Sequence, residues 1–249
     1  MEFSLELLAV LSLVAVAAGF IDAIAGGGGL LTIPALLFTG ISPVQAIATN
    51  KLQACSGSFT ATRFFIKQKL VSPKQQIGGI IASSIGAILG AIAIQYFDSS
   101  LLISILPFGL IIIAVYLLLA KNIGQTSSSK NLRKTPFNTF FITAIGAYDG
   151  FFGPGTGTFF TLSYCKMQAM NLIQATAHAK LMNFTTNIIS LFIFILSDQI
   201  IWQIGLAMAI GQIVGARLGA ATAIKQGTDF IRYMTVAVCI LMSISLLMK

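Results

Sequence analysis

Two stretches decide how this chain folds: "GFIDAIAGGGGLLTIPALL" (Gly19 to Leu37) and "GAYDGFFGPGTGTF" (Gly146 to Phe159). Each carries glycines in the middle of an apolar run, where an unbroken helix would otherwise be expected. Gly19, Asp22, Gly26 and Gly28 match Gly146, Asp149, Gly153 and Gly155 at constant spacing, four identities in ten positions. Further windows follow in the same order. "QAIATNKL" (Gln45 to Leu52) matches "QATAHAKL" (Gln174 to Leu181) in five of eight positions, and "IGAILGA" (Ile85 to Ala91) matches "IGQIVGA" (Ile210 to Ala216) in five of seven. Repeated windows in one order are the mark of an internal duplication.

The duplication divides the chain into a first repeat over 1–120, a polar linker over 121–136 and a second repeat over 137–249. The linker, "KNIGQTSSSKNLRKTP", is the one low-complexity stretch of the sequence. Outside it the chain is written for a bilayer. Of its 249 residues, 56% are apolar and 9% charged, against a charged share of roughly 25% in soluble domains, and the mean hydropathy is +0.91. Leu101 to Ala120 is uncharged over twenty residues, about what a hydrocarbon core of roughly 30 Å asks of one helix. Other apolar runs are Leu7 to Ile24, Val44 to Phe65, Gln75 to Phe97, Thr139 to Phe152, Leu172 to Leu196, Ile200 to Ile224 and Phe230 to Met248. No strand-like alternation of the barrel type appears. The predicted fold is therefore an all-α polytopic membrane protein of two repeats. Each repeat has a glycine-broken re-entrant helix pair and three transmembrane helices. Its partners are the lipid bilayer and a small anion, and assembly with a second copy is open.

The net charge of +8 does not indicate nucleic acid, because the basic residues sit in short loops with no basic stripe or interleaved aromatics. They read as topology signals. If the long segment and the short piece after each break form a re-entrant V, each half crosses the membrane three net times and the second copy is inverted. Lys67, Lys69, Lys74, Lys121, Lys130, Arg133, Lys134, Lys166, Lys225 and Arg232 then share one side with Asp229. Glu2, Glu6, Asp98 and Asp198 share the other with Lys249. Parallel copies would scatter the cations, so the positive-inside rule favours inverted repeats with both termini outside. Glu2 and Glu6 also predict a retained first segment rather than a cleaved signal. The cysteines Cys55, Cys165 and Cys239 read as small buried hydrophobes.

Helix starts are written as Ser42-Pro43, Ser72-Pro73 and Thr135-Pro136, a capping hydroxyl before a proline at the first helical position. The short helices after the breaks are predicted to begin near Leu30 and Thr158. A backbone that leaves helical geometry at membrane depth is tolerated only where it is buried in protein or lines a cavity. Glycine lets such backbone approach a ligand, and the positive ends of the following helices suit an anion. Gly86, Gly90, Gly211 and Gly215, four residues apart, read instead as packing residues.

The lysines are the second clue. Lys51 lies nine residues past its cap Ser42, and Lys180 nine past the cap Asn171, which is about 13 Å into the bilayer at 1.5 Å per residue. An ammonium there is costly and marks a functional candidate. The two lysines are expected to meet and hold one anion between them. Arg63 and Arg217 read as snorkelling residues, and His178 as a packed or interfacial histidine. Two readings stand for Asp22 and Asp149: proton acceptors during transport, or structural groups that pair with the lysines or cap the broken backbone. Asn50, Asn183 and Asn187 donate either to the anion or between helices. The candidate anion-binding set is Gly26, Gly27, Gly28, Gly29, Asn50, Lys51, Gly153, Gly155, Thr156, Gly157, Lys180, Asn183 and Asn187. No metal-ligand spacing, nucleophile and base pair or nucleotide loop appears, so no enzyme and no cofactor or metal is expected.

The same stretches, with "AIATNK" after the first break and "ATAHAKLMNFTTN" after the second, resemble the TauE/SafE family of membrane permeases, often called sulfite exporters. The likeness spans both halves. It implies a multi-pass inner-membrane transporter of sulfur-containing anions such as sulfite, sulfoacetate or other organosulfonates. Its motif positions are Gly26 to Gly29, Asn50, Lys51, Gly153, Gly155, Gly157, Lys180 and Asn183. The function expected is an exporting secondary transporter with a midplane site and alternating access. The alternative is an anion channel that uses the two breaks as its filter.

Overall fold

Helix α1, Leu5–Ala25, starts where the Ser4 hydroxyl accepts from the Leu7 amide at 3.3 Å and stops at Gly26, whose φ is +82°. This computed structural model describes residues 3–97 and 134–247, from 227 onward as helix backbone. The uncharged run Leu101 to Ala120, the linker as far as Arg133, and Glu2, Asp98 and Lys249 lie outside the described residues, as do the side chains of Lys134, Asp229, Arg232 and Cys239. At 21 residues α1 is about 30 Å long, longer than an arm that reaches half-way.

Helix α2, Gly28–Leu37, follows after two intervening residues, Gly26 and Gly27. It folds back so that Leu36 packs with Leu11, Ala15 and Ala46, which returns the chain almost to where α1 began. Helix α3, Pro43–Lys67, starts at the expected cap. The Ser42 hydroxyl accepts from the Gln45 amide at 3.2 Å while the Gln45 side chain accepts from the Ser42 amide, a reciprocal capping box. A 3₁₀ turn, Pro73–Gln76, leads into α4, Ile77–Ala93. In the second half a π turn, Phe137–Ile142, leads into α5, Thr143–Phe151, and α6, Thr156–Met167, follows the second break. Helix α7, Leu172–Leu196, is capped by Asn171, which accepts from the Gln174 amide at 2.9 Å. Helix α8, Trp202–Leu247, closes the order.

Four expectations need adjusting. The short helices start at Gly28 and Thr156, two residues earlier than Leu30 and Thr158. Ser72 makes no capping bond, and Thr135 already lies within a helical turn, Lys134–Pro136, rather than before one. The runs Ile200 to Ile224 and Phe230 to Met248 are not separate helices, because α8 runs through Lys225 to Asp229 without a turn. That segment holds no proline, and a single glycine is tolerated inside a long helix.

Leu5–Ala25, Pro73–Tyr96, Leu172–Leu196 and Trp202–Gln226 are each long and apolar enough to cross a membrane. Helix α3 is as long as any of them, but it turns Thr49, Asn50, Lys51, Gln53, Ser58 and Thr62 inward, all buried. The outward faces are apolar: Ile77, Ile81, Ile85 and Leu89 on α4, and Leu206, Ile210 and Leu218 on α8. Polar inside and apolar outside is the pattern of a chain solvated by lipid. The fold is an all-helical, polytopic membrane protein.

The halves are tied by glycine contacts that exchange partners. Gly211, Gly215 and Gly219 of α8 bring the backbone of α1 into contact at Ser12, Val16 and Phe20 in turn, so α8 and α1 run parallel. Gly86 and Gly90 of α4 do the same to α5, at Thr143, Ala147 and Phe151. Helix α3 also runs along α8: the Thr49 hydroxyl accepts from Ile201 N, Leu52 sits against Gly205, and the Ser56 hydroxyl donates to Ala209 O at 3.1 Å. Helices α1 and α3 therefore point the same way, and the break with α2 makes the return between them.

These contacts also set the repeat register. An added Cβ at Gly19 would lie 2.7 Å from Gln212 O, and one at Gly146 would lie 2.6 Å from Ser83 O. Gly19 corresponds to Gly146, so Ser83 corresponds to Gln212, and Gly86 and Gly90 to Gly215 and Gly219. That register is one helical turn away from the identity match of "IGAILGA" with "IGQIVGA". Small residues allow this closeness, and a methyl group has nowhere to go. Gly90→Ala is expected to destabilise by about 2 to 3 kcal/mol through overpacking against the Ala147 carbonyl. Gly40→Ala, where φ is +84° but the space is open, costs about 1 kcal/mol of backbone strain. Thermal unfolding of the two variants in detergent checks the contrast.

Candidate functional site

The two breaks meet. Gly26, in the left-handed region, packs on Gly157, so that an added Cβ at Gly157 would lie 2.6 Å from Gly26 Cα. Gly29 faces Pro154 in the same way. The Thr158 hydroxyl donates to the Ala25 carbonyl, one of the acceptors that the end of α1 leaves open, and Tyr148 closes the second break by donating to Pro154 O at 2.6 Å. Gly153 and Gly155 have φ of +97° and +78°, while Gly27 caps α2 with negative φ. The four consecutive glycines thus divide their duties: Gly26 turns the chain, and Gly28 and Gly29 admit Asp22 and Pro154.

Both lysines point into this junction, and each finds a carboxylate from the other half. Lys51 Nζ lies 2.7 Å from Asp149 Oδ1 and also donates to the Asp149 carbonyl. Lys180 Nζ lies 2.8 Å from Asp22 Oδ2. Exposure of the two lysine side chains is 0% and 1%, so neither reaches water by snorkelling. Arg63 and Arg217 are exposed, as the snorkelling reading expects.

The lysines do not face each other across an empty anion site. The protein's own carboxylates occupy the positions expected for an anion: Asp22 Oδ1 accepts from Gly28 N at the start of α2 at 3.3 Å, and Asp149 Oδ1 accepts from the Thr156 hydroxyl at the start of α6 at 3.2 Å. Of the two readings held for the aspartates, pairing with the lysines and capping the breaks describes this state. Any anion that entered this junction would have to compete with a carboxylate.

The remaining candidates divide. Asn183 Nδ2 donates to Asp149 Oδ2 at 3.2 Å, which places it at the junction. Asn187 bonds back to the Asn183 carbonyl within its own helix. Asn50 Oδ1 accepts from Thr32 of α2 and from Gln53, both at 2.6 Å, and so ties the first short helix to α3. Thr32, Gln53 and Thr186, which donates to Asp149 Oδ2, are site residues that the sequence reading passed over. A hydroxyl or amide inside a membrane helix usually bonds its own backbone, so the sequence gives it no distinguishing mark. His178 lies apart, lining a polar cavity of about 300 Å³ with Gln75, Gln76, Asn138, Tyr164 and Gln174. Cys55 and Cys165 are buried free thiols. Among the described residues no cluster of metal-binding side chains occurs.

Two ammonium–carboxylate bridges thus join the two helix breaks across the halves. The family model described as sulfite exporter TauE/SafE matches residues 11–246. The chain belongs to the TauE/SafE family. It is 46% identical over 241 residues to "Probable membrane transporter protein YfcA" of Escherichia coli strain K12, covering 97% of this chain and 90% of that one. A "Probable membrane transporter protein" of Haemophilus influenzae is 41% identical over 98% of this chain and 95% of its own length. "Probable membrane transporter protein YunE" of Bacillus subtilis is 25% identical over 92% of each. No solved structure matches the chain. This TauE/SafE protein is a multi-pass membrane transporter, and its family is one of transporters rather than enzymes.

Proposed function

We propose that this TauE/SafE protein is a secondary transporter that exports a small sulfur-containing anion, sulfite or an organosulfonate. The anion binds near the bilayer midplane between two inverted repeats, which rock to open it to each side in turn. The observation that carries the reading is the junction of the two breaks, where Lys51 and Lys180 are held 0% and 1% exposed among backbone and hydroxyl donors. Donors fixed in a dry interior are what an oxyanion needs, and they are costly to build for any other purpose. Gly26 to Gly29, Gly153, Gly155 and Gly157 give the backbone access to the anion. Lys180 supplies the charged donor, with the amides of Asn50, Asn183 and Asn187 and the Thr156 hydroxyl as the neutral donors of the set, while Lys51, bridged to Asp149, holds the junction in shape. The inversion is supported by the sorting of charges, by the return of the chain through α2, and by the way the arm of each half packs on the last described helix of the other.

Thermal-shift titration of the detergent-solubilised protein with sulfite, thiosulfate, sulfoacetate, taurine and sulfate is the test of substrate. A saturable stabilisation by one sulfur anion is expected, and none by any of them removes the proposal. Proteoliposomes should show sulfite counterflow without single-channel conductance; a unitary conductance would make the protein a channel. For the topology, cysteines placed at Lys69 and at Lys166 in a cysteine-free background should react from the same side of the membrane. Reaction from opposite sides would mean parallel repeats.

A further inference from the structure

The two ion pairs occupy matching positions in the two halves, yet they are built differently. Asp149 is 1% exposed and takes Lys51, Thr156, Asn183 and Thr186 on its carboxylate. Asp22 is 19% exposed and, among the described residues, takes only Lys180 and the Gly28 amide. The difference is written in the sequence. In the repeat register the positions that match Thr156, Asn183 and Thr186 are Gly29, Ala54 and Gly57, none of which has a side-chain donor. The first half lacks each of these neutral side-chain donors, and its aspartate keeps only the Gly28 amide beside Lys180.

We infer that the pairs do different work: Asp149–Lys51 is a fixed joint, and Asp22–Lys180 is a proton-coupled exchange site where a singly charged oxyanion replaces Asp22 on the Lys180 ammonium. The inference rests on reading the protein as an anion carrier and adds to it a proton and a substrate charge. The argument is one of charge conservation in a dry interior. With Asp22 ionised the pair is neutral, and an anion arriving alone would leave the junction one negative charge in excess, at several kcal/mol. If Asp22 takes up a proton from the open side as the anion arrives, the carboxylic acid, the ammonium and the monoanion again sum to zero. When the anion leaves, the proton leaves Asp22 and the ion pair re-forms. A dianion would leave one uncompensated charge even with Asp22 protonated, so the site selects singly charged sulfonates or hydrogen sulfite over sulfate.

Among the described side chains no other charged group competes for this step. The helices packed on α1 carry Lys51, Cys55, Arg63 and Lys67 on α3, Tyr164, Cys165 and Lys166 on α6, His178 and Lys180 on α7, and Arg217 and Lys225 on α8. Of these groups only Lys180 bonds Asp22. The Asp22 side chain also has the partial exposure a proton needs to reach it, which Asp149 does not.

The experiment compares the wild type with Asp22→Asn, using methanesulfonate, whose single charge does not change with pH, as the probe. In the wild type, methanesulfonate should bind more tightly as pH falls. In Asp22→Asn the pH dependence should vanish and affinity should rise by about tenfold, since Lys180 has lost its resident counter-ion. In proteoliposomes with a trapped pH dye, methanesulfonate entry should carry protons in the wild type and not in the variant. A readout that needs no substrate completes the set: at low pH, which drives a proton onto the more exposed carboxylate even without an anion, a membrane-soluble carbodiimide, which attacks protonated carboxyls, should modify Asp22 and spare Asp149 in peptide mass spectra. An unchanged pH dependence in Asp22→Asn, or equal modification of Asp149, overturns the inference. Failure of the wild type to exchange sulfite at all strikes the carrier reading instead, and the carbodiimide result still decides whether Asp22 takes up the proton.

Discussion

Asp149→Ala is expected to lower the melting temperature of the protein in detergent by about 10 °C or more, with much of the chain recovered as aggregate. The substitution leaves the Lys51 ammonium, 0% exposed, with only a carbonyl for company, and strips Thr156, Asn183 and Thr186 of a shared acceptor. Removing one partner of a buried pair costs about 3 to 5 kcal/mol, and for a chain of this size each kcal/mol moves the midpoint by about 2 to 4 °C. Asp22→Ala should fall well short of this, because Lys180 loses one bond at a site that is already partly open. Equal losses in the two variants, measured by scanning fluorimetry side by side, would show that the pairs are energetically alike.

Lys180→Ala is the complementary result: a protein that folds and does not bind. Its remaining neighbour, Asp22, keeps the Gly28 amide and partial exposure, so the loss of fold is small. Affinity for sulfite should drop by about a hundredfold or more, as is usual when the charged partner of a desolvated anion is removed. Arg63→Ala, on the exposed side of α3, should bind as the wild type does. Normal sulfite binding by Lys180→Ala would place the anion elsewhere. Lys51→Ala is predicted to resemble Asp149→Ala in stability rather than Lys180→Ala in binding, which separates the two lysines that the sequence presents as equals.

Local features were legible in the sequence and relations between distant residues were not. The caps Ser42 and Asn171 and the break after Ala25 follow from residues within a few positions of one another, and the burial of both lysines from their place along the capped helices. The crossed pairing does not, because nothing near Lys51 announces that its partner is Asp149 rather than Asp22. The third repeat window was misaligned by one turn because glycines four apart recur along both helices, and identity counts cannot tell one turn from the next. Only the backbone contacts of Gly19 and Gly146 settle that register. Lys225 and Asp229 looked like a loop because charges mark membrane edges, but helix-forming neighbours carry α8 through them. Thr186 and Gln53 stayed hidden because their importance lies in what faces them.

The exchange of partners between halves also bears on how the protein comes to exist. Lys51 is separated from Asp149 by 98 positions, and Asp22 from Lys180 by 158, so the ribosome delivers one unmatched charge of each sign to the membrane long before either can be answered. The first half is left to wait in the lipid or at the insertion machinery with an acid and a base of its own, able to satisfy each other only in the wrong combination. Completion of the second half is then what releases it, and a chain truncated between the halves should be recognised as unfinished and degraded rather than accumulate as a smaller transporter.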